Sequence, residues 1–157
     1  MARSHVYEAR VVWSGAASGG TRSYAAYSRE YRVEIAGKPP LRGSADPLFR
    51  GDAALHNPED LLVVALSTCH MLSYLAEAAR AGLLVLGYED RARGTLWLEG
   101  GGGRFTEVVL HPVVSVAAGS DLALARRLHE RAHADCFIAS SVSFPVRCEA
   151  TVQEAAG

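Results

Sequence analysis

The chain has 157 residues, a formal net charge of −1 at pH 7, 49% hydrophobic residues and 21% charged residues. This length suits one ordinary domain, and this composition is typical of a chain that folds. A nearly neutral chain has no single-sign field to attract nucleic acid or an anionic membrane, so neither is expected as a partner. We therefore predict a single domain over residues 1–157.

The apolar pattern bears on where the protein resides. The longest strongly apolar stretch, near residues 61–75, is interrupted by Ser67, Thr68, His70 and Ser73. We expect it to be too short and too polar to span a bilayer. The first residues lack the apolar core of a secretory signal, so a cytoplasmic location is predicted.

The first half of the chain predicts strands followed by a long helix. Strand-like aromatic, β-branched or alternating content occurs at residues 6–13, 24–35 and 41–45. Asn57 is a good helix cap, Pro58 suits the first helical position, and Gly82 stops a helix that runs to about Ala81. Because the middle of this helix is apolar nearly all round, we expect it to be buried centrally.

The second half predicts further strands and one more helix. Strand patterns occur at residues 83–86, 92–98, 105–116 and 144–152, with a glycine-rich hairpin at 99–104. A second helix runs from Asp121 to about His133, capped by Ser120 or Asp121. This order of elements predicts an α+β fold with mainly antiparallel sheets.

Three cysteines, Cys69, Cys136 and Cys148, are too few for a disulfide scaffold. Cys69 lies in the middle of the first helix, and its simplest interpretation is a small buried hydrophobe. Cys136 follows the second helix, so the two thiols could face each other as a peroxidatic and a resolving cysteine would. Cys148, in the last strand pattern, is interpreted as structural.

Glu59 and several arginines could activate a thiol. Glu59 lies ten positions before Cys69, about 15 Å along one helix, so the two cannot touch within it. They could meet only if a second chain's helix packs antiparallel alongside, or if a third group bridges them; this suggests an intertwined homodimer. Arg22, Arg29 and Arg50 are candidate activators of a thiolate, although a solvated surface arginine is the commoner case.

The histidines offer a rival hypothesis. His129 and His133 are four positions apart and share a helix face, and Cys136 follows three positions later. With Cys69 or His70 they could form a zinc or copper site. A pair of histidines at this spacing is more often simply solvated.

Two stretches resemble a known family. NPEDLL at residues 57–62 and LSTCHM at residues 66–71 resemble the central helix of the OsmC/Ohr family, the osmotically inducible and organic hydroperoxide resistance proteins. AHADCFIASSV at residues 132–142 resembles the second cysteine motif of that family. The resemblance covers essentially the whole chain and is stronger to the OsmC-like branch.

The resemblance implies a fold and an activity. The fold would be an intertwined homodimer in which mainly antiparallel sheets wrap around long central helices. The activity would be thiol-dependent reduction of organic hydroperoxides, including fatty-acid peroxides, with no cofactor and no metal. The reductant would be a dithiol, such as a lipoyl group on a carrier protein.

The resemblance also assigns residues. Cys69 matches the peroxidatic position and Cys136 the resolving position, which implies a disulfide between them during turnover. Glu59 matches the acidic residue that holds an activating arginine, for which Arg22 is the first candidate and Arg29 the second. Phe137 stands where the family usually has proline.

Two alternatives remain open. One is a non-catalytic protein that binds a small apolar ligand, and the other is a metal site built on Cys69, His129, His133 and Cys136. For a peroxide's apolar tail, the sequence suggests a pocket formed by Tyr27, Phe49, Leu66, Met71, Leu72 and Phe137.

Overall fold

The computed structural model describes residues 3–156, with the side chain of Ser18 excepted. The chain divides into two compact units, Met1–Leu61 and Leu62–Gly157, which are described separately below. Helix α1, Pro58–Arg80, begins in the first unit and continues into the second. That the whole chain behaves as one domain stays a prediction.

The first unit contains a three-stranded antiparallel sheet in the order β1-β2-β3. Its strands are β1 Arg10–Trp13, β2 Tyr31–Glu34 and β3 Leu41–Gly43, with short 3-10 helices at Gly15–Ser18 and Pro47–Phe49. The first two strands are shorter than predicted. Before β2, the carbonyls of Tyr24 and Tyr27 accept hydrogen bonds from the Arg29 side chain. That segment therefore forms a turn around a guanidinium instead of a ladder.

The second unit contains two further three-stranded sheets, in the orders β4-β7-β9 and β5-β6-β8. Its elements are β4 Val85–Asp90, β5 Arg93–Glu99, β6 Gly102–Leu110, β7 Pro112–Val116, α2 Leu122–Ala134, a 3-10 helix at Ala139–Ser141, β8 Val146–Cys148 and β9 Thr151–Glu154. The β4–β7 and β5–β6 pairs are antiparallel, whereas β8 and β9 run parallel to β6 and β7. The predicted α+β class with mainly antiparallel pairing is confirmed.

Two predicted strands are each divided between the two sheets of the second unit. The stretch 105–116 becomes β6 and β7, and the stretch 144–152 becomes β8 and β9. At the first division the backbone N–H of His111 donates to the Asp90 carboxylate at 2.7 Å. The next residue, Pro112, has no N–H to offer a ladder, so the strand changes sheets there.

The two helices begin where the sequence predicts. Asn57 Oδ1 accepts a hydrogen bond from the Asp60 N–H at 2.8 Å at the start of α1. Asp121 Oδ1 accepts from the Leu124 N–H at 2.9 Å and so caps α2. Gly82 follows α1 with a φ of 71°, a left-handed conformation that glycine adopts without strain.

Helix α1 is less buried in one chain than the sequence suggests. Its buried residues, Leu66, His70, Tyr74 and Ala78, recur every fourth position and form one stripe. On one other face Val64 is 52% exposed and Leu72, two turns later, is 62% exposed. The prediction of central burial is therefore wrong for the single chain, because this face stays exposed although Leu62, Val63 and Leu75 pack partly against the core.

Among residues 3–156, one helix, α1, is long and apolar enough by length and composition to cross a membrane. By those criteria the prediction that its apolar stretch is too short and too polar is wrong. A single helix of this kind carries little weight, because the core helix of a soluble protein meets the same criteria.

The second unit contains two hydrophobic clusters. The larger one packs Tyr74 and Ala78 of α1 against α2 and the β4-β7-β9 sheet. The smaller one joins Leu66 to Val108 and Leu110 of β6. The stripe on α1 therefore contributes to both clusters.

Candidate functional site

Two cysteines of the second unit lie next to each other. Cys69, in the middle of α1, is half-buried, and Cys136, just after α2, is 1% exposed. Burial raises the pKa of the Cys136 thiol to about 11, and interaction with the Cys69 side chain is the next cause. The structure thus brings together the two thiols to which the resemblance gives the peroxidatic and resolving roles.

The turn after α2 fixes the position of Cys136. Its backbone N–H donates to the carbonyl of His133 at 3.3 Å, in continuation of the helix. Its own carbonyl accepts from both the N–H and the hydroxyl of Ser140, each at 3.0 Å. The next residue, Phe137, is 81% exposed, so this turn is held by hydrogen bonds without a proline after the cysteine.

A groove of about 670 Å³ opens beside Cys69. Mostly apolar and small side chains line it: Ala65, Thr68, Cys69, Leu72, Ser73, Ala76, Arg80, Asp135, Phe137 and Ile138. Leu72 and Phe137 belong to the predicted tail pocket, whereas Leu66 is fully buried in the core and is not among these residues. A groove of this size and character can hold an apolar molecule against the exposed side of the Cys69 thiol.

The first unit has a separate cavity of about 470 Å³, lined in part by Tyr27, Arg29, Phe49 and Glu59. The guanidinium of Arg29 lies 3.9 Å from the centre of the Tyr27 ring and 4.7 Å from that of Tyr24. It also donates to the carbonyl of Tyr27 at 2.6 Å and to that of Tyr24. Two ring faces and two carbonyls therefore fix this cation in place.

Glu59 and Arg29 line the same cavity but do not form an ion pair there. Within residues 3–156 no arginine lies within ion-pair distance of Glu59. The hydroxyl of Tyr31, on the same cavity, is buried without a hydrogen-bond partner. Burial and then the Glu59 charge raise the pKa of Tyr31. Arg22 is exposed beside Gly19 and is not among the lining residues.

A third group of side chains, which the sequence did not predict as a set, lies in the second unit. His70 Nε2 and His129 Nδ1 are 3.1 Å apart, and Cys148 Sγ lies 3.5 Å from the first and 3.8 Å from the second. Both histidines are buried and burial lowers the pKa of each to about 4. Burial raises the pKa of Cys148 to about 11.

This cluster differs from the metal set considered from the sequence. It contains His129 and also His70, which the sequence offered as an alternative to Cys69. Its third member is Cys148, whereas the sequence proposed His133 and Cys136. His129 is 59 positions from His70 and 19 from Cys148, so no local spacing signals the group.

Comparison with known proteins gives a consistent result. A family model described as OsmC-like protein matches residues 51–151. The structure is similar to that of an OsmC-like protein of unknown function from Vibrio cholerae, with 34% identity, a TM-score of 0.86, and coverage of 94% of this chain and 100% of that one. Among curated proteins, none matches the chain.

Two more distant structures show the same fold. One is an organic hydroperoxide resistance protein from Elizabethkingia anophelis, at 20% identity and a TM-score of 0.69, covering 99% of this chain and 100% of that one. The other is an organic hydroperoxide resistance protein from Legionella pneumophila, at 18% identity and a TM-score of 0.68, covering 95% of this chain and 97% of that one. At these identities the likeness concerns the fold alone.

Proposed function

The chain belongs to the OsmC-like family, and on that premise we propose that it is a cysteine-based peroxidase that reduces organic hydroperoxides to alcohols. Family membership supports a redox or peroxide-resistance role. The finer proposal rests on one observation: half-buried Cys69 lies beside buried Cys136 at the edge of an apolar groove. A peroxidase of this type needs a reactive thiol that the substrate can reach and a second thiol next to it that can form a disulfide.

In the proposed reaction, the Cys69 thiolate attacks the terminal oxygen of the peroxide. The O–O bond breaks, the alkoxide takes a proton and leaves as the alcohol, and Cys69 becomes a sulfenic acid. The Cys136 sulfur then attacks the Cys69 sulfur, water leaves, and a disulfide forms. An external dithiol reduces this disulfide, becomes a disulfide itself, and restores both thiols.

The environment of Cys136 suits the resolving role better than the attacking role. Because its pKa is about 11, Cys136 keeps its proton near neutral pH. A buried neutral thiol does not compete for the peroxide, which reaches Cys69 through the groove. We therefore assign attack to Cys69 and resolution to Cys136.

In the proposed mechanism Glu59 orients an arginine whose positive charge acts on the reacting groups. It would stabilise the Cys69 thiolate and the charge that develops on the leaving oxygen. Of the two candidates, Arg29 is now preferred to Arg22, because Arg29 shares a cavity with Glu59 and its guanidinium is held by Tyr24 and Tyr27.

A homodimer belongs to the same proposal. Val64 and Leu72 are apolar, more than half exposed and two turns apart on the same face of α1, a pattern typical of a helix that packs against another surface. We propose that a second chain covers this helix and that each active site uses groups from both chains. Sedimentation would show a dimer; an active monomer would remove this part of the proposal.

Peroxide consumption by the purified protein tests the activity. We expect cumene hydroperoxide to be consumed faster than hydrogen peroxide, because the groove beside Cys69 favours an apolar tail. A dithiol such as dihydrolipoamide should support turnover better than a monothiol. Cys69→Ser should abolish turnover; turnover that survives in this variant would contradict the assignment.

Cys136→Ser distinguishes attack from resolution. This variant should consume one equivalent of peroxide to give the Cys69 sulfenic acid, which mass spectrometry detects after trapping with dimedone. With excess peroxide a second equivalent should convert it to the sulfinic acid, and consumption should then stop. Continued dithiol-dependent turnover in Cys136→Ser would contradict the resolving role.

Substitutions of Arg29 and Arg22 test which of them activates Cys69, and a substitution of Arg32 serves as the control. Arg29→Gln should lower kcat/KM at least tenfold. Arg32→Gln, three positions later on β2 and paired with Glu34 at the surface, should leave kcat/KM unchanged. A large loss in Arg22→Gln with none in Arg29→Gln would reverse our preference.

The groove also favours one alternative function, the binding of a small apolar ligand without chemistry. That alternative predicts a ligand retained through purification and no peroxide consumption. The cumene hydroperoxide assay with unmodified protein separates the two functions directly.

A further inference from the structure

Beyond the cysteine pair, one cluster of side chains has no part in the proposed reaction. His70 of α1, His129 of α2 and Cys148 at the end of β8 converge, although they come from three different elements. Their three potential ligand atoms all lie within 4.8 Å of one another. We propose that His70, His129 and Cys148 bind a zinc ion that ties these three elements together.

The distances fit a tetrahedral zinc site. With Zn–N of about 2.0–2.1 Å and Zn–S of about 2.3 Å, tetrahedral angles place two nitrogen ligands about 3.3 Å apart and a nitrogen and a sulfur about 3.6 Å apart. The observed N···N distance is 3.1 Å and the N···S distances are 3.5 and 3.8 Å. An ion can therefore be placed among the three atoms with shifts of a few tenths of an ångström.

The shape of the cluster favours an ion over hydrogen bonds alone. The three atoms form a closed triangle with three short edges, whereas two neutral imidazoles and one thiol can place at most two protons on those edges. An ion at the centre uses a lone pair from all three atoms at once. Two nitrogens and one sulfur are also the donor types that zinc prefers.

The charges around the cluster suit a cation. Both histidines are buried, and a neutral imidazole offers a metal ion the lone pair of one ring nitrogen. On binding, Cys148 would lose its thiol proton to solvent and form the Zn–S bond as a thiolate. The Asp90 carboxylate acts electrostatically on both His70 and Cys148, whereas His133 acts on His70 in the opposite sense. A negative charge that favours a cation is therefore close to both ligands.

Metal content of the untagged protein is the direct test. After incubation with Zn²⁺ and removal of unbound ion, we expect one zinc per chain. With Co²⁺ as a spectroscopic probe, we expect tetrahedral d–d bands and a thiolate-to-cobalt charge-transfer band. No metal retained at equimolar Zn²⁺, or stoichiometric Cu⁺ with no Zn²⁺, would overturn the zinc assignment.

Variants test the ligands. Cys148→Ser changes a half-buried residue by one atom, and it should weaken Zn²⁺ affinity at least tenfold and remove the charge-transfer band. His129→Gln should weaken affinity as much. His133→Ala is the matched control, because His133 is exposed on the same helix, one turn beyond His129.

The outcomes separate this proposal from the peroxidase. Zinc affinity retained in Cys148→Ser, or lost in His133→Ala, would overturn the ligand set whatever the peroxide assay shows. Conversely, an inactive protein that binds one zinc through Cys148 would overturn only the peroxidase. Circular dichroism of each variant without metal shows that the fold is retained, and the Co²⁺ spectrum of the unchanged protein tests the site without any substitution.

Discussion

Two tyrosines in the second unit have buried hydroxyls, of which one forms a hydrogen bond and the other has no partner among the described residues. Tyr74, fully buried on α1, donates to the carbonyl of Ala125 in α2 at 3.1 Å. The hydroxyl of Tyr88, on β4, has no partner among the described residues. Replacing each by phenylalanine removes one oxygen and keeps the ring, so the pair isolates the hydrogen bond.

The expected effects differ in sign. Tyr74→Phe removes a neutral hydrogen bond whose net contribution is about 1 kcal/mol. The loss stays near that value because the Ala125 carbonyl lies inside α2, where the helical ladder supplies another donor. Tyr88→Phe removes a hydroxyl that is buried without a partner, so stability should stay equal or rise by up to about 1 kcal/mol.

Urea unfolding at one protein concentration, with EDTA present, measures both variants. With a slope of about 2 kcal/mol per molar, Tyr74→Phe should lower the urea midpoint by about 0.5 M, and Tyr88→Phe should leave it equal or higher. The slope should not change. Equal losses in the two variants, or no loss in Tyr74→Phe, would refute the difference in hydrogen bonding on which the reasoning depends.

Three other changes have clear expectations. Asp121→Ala removes the cap of α2 and should cost about 1 kcal/mol in urea unfolding, whereas Ser120→Ala next to it should cost little. Gly51→Ala should strongly reduce soluble, folded protein, since its Cβ would lie 1.6 Å from the Ala45 carbonyl oxygen. Burial raises the pKa of Cys136 from 9.0 to about 11. Because the folded protein holds this proton more tightly than the unfolded chain, the contribution of the neutral thiol to the free energy of unfolding is complete below pH 9 and is lost as pH rises through 11. The urea midpoint of the reduced protein should therefore fall more over that range than that of Cys136→Ala.

Local chemistry made several features predictable. The start of α1 depends on Asn57 and Pro58, and the start of α2 on Asp121, all within one turn of the helix that they begin. Gly82 ends α1 through its own backbone conformation. Capping and turn preferences act over a few residues, so they can be read before any tertiary contact is known.

Strand ends and sheet membership were less predictable. The strand expected at 105–116 changes sheet at His111 and Pro112 because Asp90, 21 positions earlier, accepts the His111 N–H. The segment before β2 turns around the Arg29 guanidinium, which a strand pattern does not reveal. In both places a side chain forms a hydrogen bond with a backbone group that would otherwise pair with a neighbouring strand. A pattern of strand-forming residues does not show such a bond.

The sequence by itself determined the family, the α+β class and both helices, because motifs and caps are local patterns of residues. The resemblance suggested that Cys69 and Cys136 act together, and only the tertiary structure placed the two side chains next to each other. Only the tertiary structure showed that Arg29, rather than Arg22, shares a cavity with Glu59. It alone showed that α1 buries a single stripe and that His70 meets Cys148 from 78 positions away. Such meetings depend on how helices and sheets pack, since packing brings together side chains whose separation along the chain carries no signal.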